Sequence, residues 1–203
     1  MPYLHKPRVD ELVEAFKAVS ASTLGHVTND GYLSGVRPII ESVKLVGRVR
    51  TAKIHLPNAS VLREALIQAK AKEVLVVECT GNTDYACWGE LRTLAAQIKG
   101  LSGIVISGKV TDLHALKELR LPIFSAGVSA LTTHADANVP DGTLDTAIEI
   151  AGNKINPGDL VLGDDDGIFI LSPKQAEALL PSCVEKEYQD QKRKKELMVK
   201  LSN

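Results

Sequence analysis

Between residues 73 and 125 the chain alternates short apolar runs with stretches of helical spacing, and this alternation constrains the fold more than any other feature. Glu73-Val-Leu-Val-Val-Glu78, Gly103-Ile-Val-Ile-Ser107 and Pro122-Ile-Phe-Ser125 have the length of buried strands. Between the first two, Leu91, Leu94, Ala95 and Ile98 recur at i, i+3, i+4 and i+7, the apolar stripe of an amphipathic helix, and Gly100 stands where a helix C-terminus takes glycine. Leu113 to Leu119 reads as a second, shorter helix. Strand, loop and helix in that repeating order specify an α/β fold.

The flanking segments extend the pattern. Val9, Leu12, Val13, Phe16 and Val19 predict a helix over Asp10 to Val19, and Thr28-Asn29-Asp30-Gly31 and Pro38 mark irregular chain after it. Lys44 to Leu56 predicts a strand with Gly47 at a bulge or a close approach, and Ser60 to Lys70 a helix capped by Ser60. Ile148–Ile150, Leu160–Leu162 and Ile168–Leu171 are short strands separated by turns, and a helix follows from Pro173. With no low-complexity linker and no internal repeat, the 203 residues are expected to form a single domain over 1–203, with 174–203 a C-terminal helical extension. A chain of this size buries about 70% of its unfolded surface, enough for one full core.

Composition excludes several functions. The 24 Lys+Arg nearly balance 25 Asp+Glu, so no global field draws nucleic acid or anionic lipid. Four Tyr, three Phe and one Trp are too few for a base-stacking platform. No uncharged apolar run approaches the roughly 20 residues of a membrane span, and Met1 to Asp10 lacks the apolar core of a leader, so a cytoplasmic protein is expected. Cys79, Cys87 and Cys183 are odd in number and lack C-x-x-C spacing, which argues against a disulfide framework or a structural zinc site. There is no P-loop, nucleophile elbow or Rossmann glycine motif.

Two segments can carry chemistry. Trp88-Gly89-Glu90-Leu91 opens the central helix, where free N–H groups and the positive dipole end suit a carboxylate or phosphate; Gly89 as a plain N-cap is the alternative. Ser107-Gly108-Lys109-Val110-Thr111-Asp112 places an acid just past the C-terminal end of a buried strand, where α/β proteins collect functional residues. Asp112 there can hold a hard cation such as Mg²⁺, or simply cap the helix that starts at Leu113. Asp164-Asp165-Asp166-Gly167 lacks the spacing of a calcium loop and reads as a hairpin turn. Lys192-Arg193-Lys194-Lys195, interleaved with acids, reads as a solvated face, and neither His26 nor His114 has a second ligand at metal spacing.

In order along the chain, Ala86-Cys-Trp-Gly-Glu-Leu91, Gly100-Leu-Ser-Gly-Ile-Val-Ile-Ser-Gly108, Val110-Thr-Asp112, Leu121-Pro-Ile-Phe124, Pro157-Gly-Asp-Leu-Val161 and Gly163-Asp-Asp-Asp-Gly167 resemble the family that unites class II 4-hydroxy-4-methyl-2-oxoglutarate aldolases with the regulator of ribonuclease E activity A. The resemblance runs from about residue 10 to residue 180 and is most specific from Gly89 to Asp112. It implies a swivelling β/β/α sandwich, trimers or hexamers with clefts at subunit boundaries, and a Mg²⁺- or Mn²⁺-dependent lyase. Such a lyase cleaves a 4-hydroxy-2-oxo acid, or decarboxylates oxaloacetate, through a pyruvate enolate. By position, Asp112 matches the metal ligand and Glu90 an acid near it, while Gly89, Leu91 and Arg92 match the loop whose amides grip the substrate carboxylate. Thr111 stands where such members carry Arg, and a hydroxyl cannot imitate that bidentate cation; Arg92 or Lys109 is the expected replacement, with His26 a candidate acid or base. The alternative that the resemblance carries is a non-catalytic regulator of a ribonuclease or another protein partner.

Overall fold

Lys44–Leu56 forms one long strand with the ends its alternation predicts, and the sheet is built outward from it. The computed structural model describes residues 9–134 and 142–202; most of the stretch read for a leader, residues 1–8, lies outside them. In chain order the elements are α1 (Val9–Phe16), α2 (Ala21–Val27), β1 (Arg37–Pro38), β2 (Lys44–Leu56), α3 (Val61–Gln68), β3 (Glu73–Gly81), β4 (Ala86–Trp88), α4 (Glu90–Ile98), β5 (Gly103–Val110), α5 (Leu113–Leu119), β6 (Ile123–Val128), β7 (Thr143–Leu144), β8 (Ile148–Ile150), β9 (Asn153–Ile155), β10 (Leu160–Asp164), β11 (Gly167–Leu171) and α6 (Pro173–Leu201). The sheet runs β1-β6-β5-β3-β2-β10-β11, with β4 added to β5 and β7 to β2. β2, β3, β5 and β6 are parallel because a helix crosses over between each pair, and β10–β11 and β1 pair antiparallel at the two edges.

Side-chain parity then sorts the core. Ala52, Ile54, Leu75, Val77, Ile104 and Ile106 face Leu62 and Ala65 of α3, Ala96 of α4 and Leu116 of α5. The opposite face, with Val49, Val74, Val76, Val105 and Phe124, is covered by Ile148, Ile150 and Ile155 of the β8–β9 hairpin. Hairpin, sheet and helices make the expected β/β/α sandwich. A third cluster seats Leu12, Phe16, Leu24 and Cys183 over β10 and β11.

Some local expectations are corrected and others hold. Gly47 is not bulged but stays in register opposite Val161, and a Cβ there would lie 2.6 Å from Val74 Cγ2, so close approach is its reason. Ser60 has helical dihedrals and makes no side-chain cap bond; its N–H donates to Asn58 Oδ1 at 3.0 Å. The N-terminal helix stops at Phe16, and a second helix, α2, begins after Ser20, whose hydroxyl accepts from Thr23 N. The acid triplet turns the β10–β11 hairpin, with Asp165 accepting from the N–H groups of Ser42 and Val43. Lys192 to Lys195 lie on the exposed outer half of α6, and among the described residues no helix is long and apolar enough to cross a membrane.

Glu187 clamps α6 to the start of α2. Its Oε1 accepts from Ser20 N and Ser20 Oγ at 2.8 Å and from Thr23 Oγ1 at 2.6 Å. Burial alone would raise its pKa, but these hydrogen bonds and the charge of Lys44 outweigh it and hold the carboxyl below its ordinary value. A depressed folded-state pKa stabilises above the unfolded value, about 4.3, and that contribution is lost as pH falls through the folded value. The wild-type urea midpoint should therefore fall on acidification below about pH 4.3 more steeply than that of Glu187→Gln. Parallel curves for the two proteins would show that the clamp contributes nothing.

Candidate functional site

The site forms where two helices start side by side. β3 parts from β5 after the Val77–Ile106 pair, and β4 takes its place along the same edge, so Trp88 comes to lie opposite Val110. Thr111 N–H donates to Trp88 O at 2.8 Å, locking the two strand ends together. Gly89 and Asp112 follow them and open α4 and α5.

Asp112 occupies the left-handed region, φ 57° and ψ 37°, which Asp tolerates better than most side chains. It does not cap its own helix; Oδ2 accepts from Glu90 N–H of α4 at 3.0 Å and Oδ1 from the Thr111 hydroxyl at 3.3 Å. Gly89 makes this reach feasible, because a Cβ there would lie 2.4 Å from Asp112 Oδ2 and 2.8 Å from Thr111 Cγ2. The first turn of α4 is pinned from below: buried Trp88 Nε1 donates to Thr93 Oγ1, which donates to Gly89 O, both at 2.9 Å. Of the first-turn amides, those of Leu91 and Arg92 have no acceptor among the described residues, and the Glu90 side chain is exposed beside them.

Gly89, Glu90, Leu91, Arg92, Thr111 and Asp112 are thus brought together. The expected replacement cations are each engaged: Arg92 Nη1 donates to Cys87 O, and burial lowers its pKa, while Lys109 Nζ meets Asp84 Oδ1 at 2.8 Å. Lys109's hydrogen bond and charge hold the Asp84 carboxyl below its ordinary value. His26 lies on α2 against α6, β10 and β11, three strand positions across the sheet from β5, and does not join Asp112 within one chain. His114 is exposed, 3.5 Å from Glu118. Sequence reasoning missed β4 and the Trp88–Thr93–Gly89 chain of bonds; a Trp five residues before a helical Thr was the only signal.

Among the described residues no group of three or more His, Cys, Asp or Glu is placed to hold a metal. One anchored carboxylate with exposed neighbours fits a hard ion that keeps most of its waters, as Mg²⁺ does.

The stripe of α4 points the wrong way for a single chain. Thr93 and Ala96 are buried, whereas Leu91 and Ile98 are 80% and 84% exposed. Thr93 can replace an apolar residue inside because both its hydroxyl bonds are made. The outward stripe joins Leu66 and Ile67 of α3 in a groove of about 640 Å³ that begins at the site residues Leu91 and Arg92.

Fold and site together define a β/β/α protein whose paired helix starts share one carboxylate. The chain belongs to the RraA-like (Aldolase/RraA) family, whose profile matches residues 11–170. It is 31% identical over 128 residues to a 4-hydroxy-4-methyl-2-oxoglutarate aldolase of Thermus thermophilus, covering 63% of this chain and 76% of that one. An uncharacterised protein of Methanocaldococcus jannaschii is 33% identical over 156 residues, covering 75% and 71%. The crystal structure of RraAS2 from Streptomyces coelicolor, an unusual member of the RNase ES inhibitor RraA protein family, superposes with a TM-score of 0.80 at 26% identity, over 94% of this chain and 98% of that one.

Proposed function

We propose that the protein is a divalent-metal-dependent lyase that cleaves a C–C bond of a 4-hydroxy-2-oxo acid, with oxaloacetate decarboxylation as the related reaction of the same site. The observation that carries this reading is the Asp112 carboxylate held at the start of α4 through a glycine that leaves it room. Asp112 would hold Mg²⁺ or Mn²⁺, which when bound supplies a Lewis acid for charge developing on the 2-oxo oxygen. The amides of Leu91 and Arg92, at the positive end of the α4 dipole, orient the substrate carboxylate. Glu90, exposed at the same helix start, exchanges the proton that the new carbanion takes up. Thr111 fixes Asp112 but brings no charge, so a cation must come from Arg92 or Lys109 on release of its present partner, or from a neighbouring copy.

A second copy is the proposed cover for the outward stripe, since an apolar groove continuous with the site is closed most simply by the same surface of another protomer. Size-exclusion chromatography should give a trimer or hexamer, and Ile98→Glu should shift it to monomer. A monomeric wild type that instead retains a ribonuclease on a column would favour the regulator reading.

The activity is tested by coupling pyruvate release to NADH oxidation, with oxaloacetate and 4-hydroxy-4-methyl-2-oxoglutarate as substrates. Release above the metal-only background should require protein, vanish with EDTA and return with Mg²⁺ or Mn²⁺. No enzyme-dependent release from either substrate, together with no calorimetric binding of oxalate and Mn²⁺, would overturn the proposal.

A further inference from the structure

We propose that Cys79 and Cys87 are an oxidation-sensitive pair that closes an intramolecular disulfide beside the start of α4. The two free thiols lie at the point where β4 replaces β3 along β5, with their sulfurs 3.7 Å apart. Where β3 parts from β5, Cys79 N–H donates to the Ser107 hydroxyl at 2.8 Å. Gly108 leaves the space beside Cys79 clear, since a Cβ there would lie 2.7 Å from Cys79 Sγ. A disulfide needs the sulfurs to close by about 1.7 Å, within reach of side-chain rotation and a small shift of the short strand β4.

The oxidant is hydrogen peroxide. Cys79, the partly exposed member, loses its proton and attacks the peroxide oxygen; the O–O bond breaks, a sulfenic acid forms and one water leaves. Buried Cys87 then attacks that sulfur, the S–S bond forms, the S–O bond breaks, and hydroxide departs with the Cys87 proton as a second water. Two thiols give up two electrons and the peroxide takes them. The hydrogen bond to Cys87, then burial, push the Cys79 thiol well above its ordinary value, so the reaction quickens as pH rises.

The consequence reaches the helix start. Cys87 supplies the carbonyl that holds Arg92, and the next residue is Trp88, which is bonded to Thr93 of α4. Trp88 is also the only tryptophan, so its emission reports the state of the pair: a neighbouring disulfide quenches indole fluorescence.

The test treats the full-length protein with hydrogen peroxide, removes the excess, and counts thiols in denaturant. The count should fall from three to one, with a Cys79–Cys87 peptide two hydrogens lighter. Trp88 emission should drop and be restored by dithiothreitol. Cys79→Ser and Cys87→Ser should each abolish the reversible drop, and Cys183→Ala should keep it. Three surviving thiols, selective loss of Cys183, or Cys79 sulfinic acid beside an intact Cys87 thiol would each overturn the proposal. None of these readouts depends on lyase activity.

Discussion

Gly89→Ala should reduce metal-dependent pyruvate release by about a hundredfold or more and lower stability by about 1–3 kcal/mol, although it adds a single methyl group. Gly89 has φ −161°, extended backbone open to any residue, so the effect is steric. The added carbon would lie 2.4 Å from Asp112 Oδ2 and 2.8 Å from Thr111 Cγ2, and one of the two strand ends has to move. If Asp112 swings away, Glu90 N–H loses its acceptor and the first turn of α4 loosens where it is proposed to grip a carboxylate. Urea unfolding and the coupled assay measure the two effects. The double variant Gly89→Ala/Asp112→Gly separates them: it removes the closer clash, leaves the one with Thr111 Cγ2, and places glycine at a positive φ, so stability should recover in part while turnover stays lost. A Gly89→Ala protein with wild-type stability and rate would mean that the two helix starts are not in contact in solution.

Local physics made the framework of the fold legible. β2 has its expected ends because Lys44 to Leu56 combines alternation with turn residues on both sides, and β3, β5 and β6 are apolar runs with no competing period. What the sequence could not convey were contacts between distant segments. Asp112 was legible as a helix cap, but the helix it caps is α4, 22 residues earlier in the chain, and only the departure of β3 from β5 explains how they meet. The α4 stripe was legible as apolar but not as outward, because periodicity gives a face without saying what covers it. Ser60 and Ser20 are equally good caps by type; only Ser20 sits in extended backbone, which places its hydroxyl over the first turn. The proximity of Cys79 and Cys87 depends in the same way on β4, a three-residue strand too short to show a pattern.

Asp112→Asn separates the chemical role of this carboxylate from its structural one. Asn accepts the left-handed conformation about as readily as Asp, and its amide oxygen can still receive Glu90 N–H, so unfolding stability should change by only about 1 kcal/mol. What disappears is the negative charge, and with it the anchored acid at the paired helix starts that is proposed to hold the divalent ion. Enzyme-dependent pyruvate release should therefore fall about 10²- to 10³-fold, the range for losing one preorganised electrostatic contact. Mn²⁺ binding, followed by electron paramagnetic resonance, should weaken in step, and added metal should restore little of the rate. Glu90→Gln, by contrast, should slow turnover while leaving Mn²⁺ binding largely intact, because Glu90 is assigned the proton and not the ion. If Asp112→Asn binds Mn²⁺ and turns over like the wild type, the carboxylate is only the cap of α4, and the lyase assignment loses the observation on which it rests.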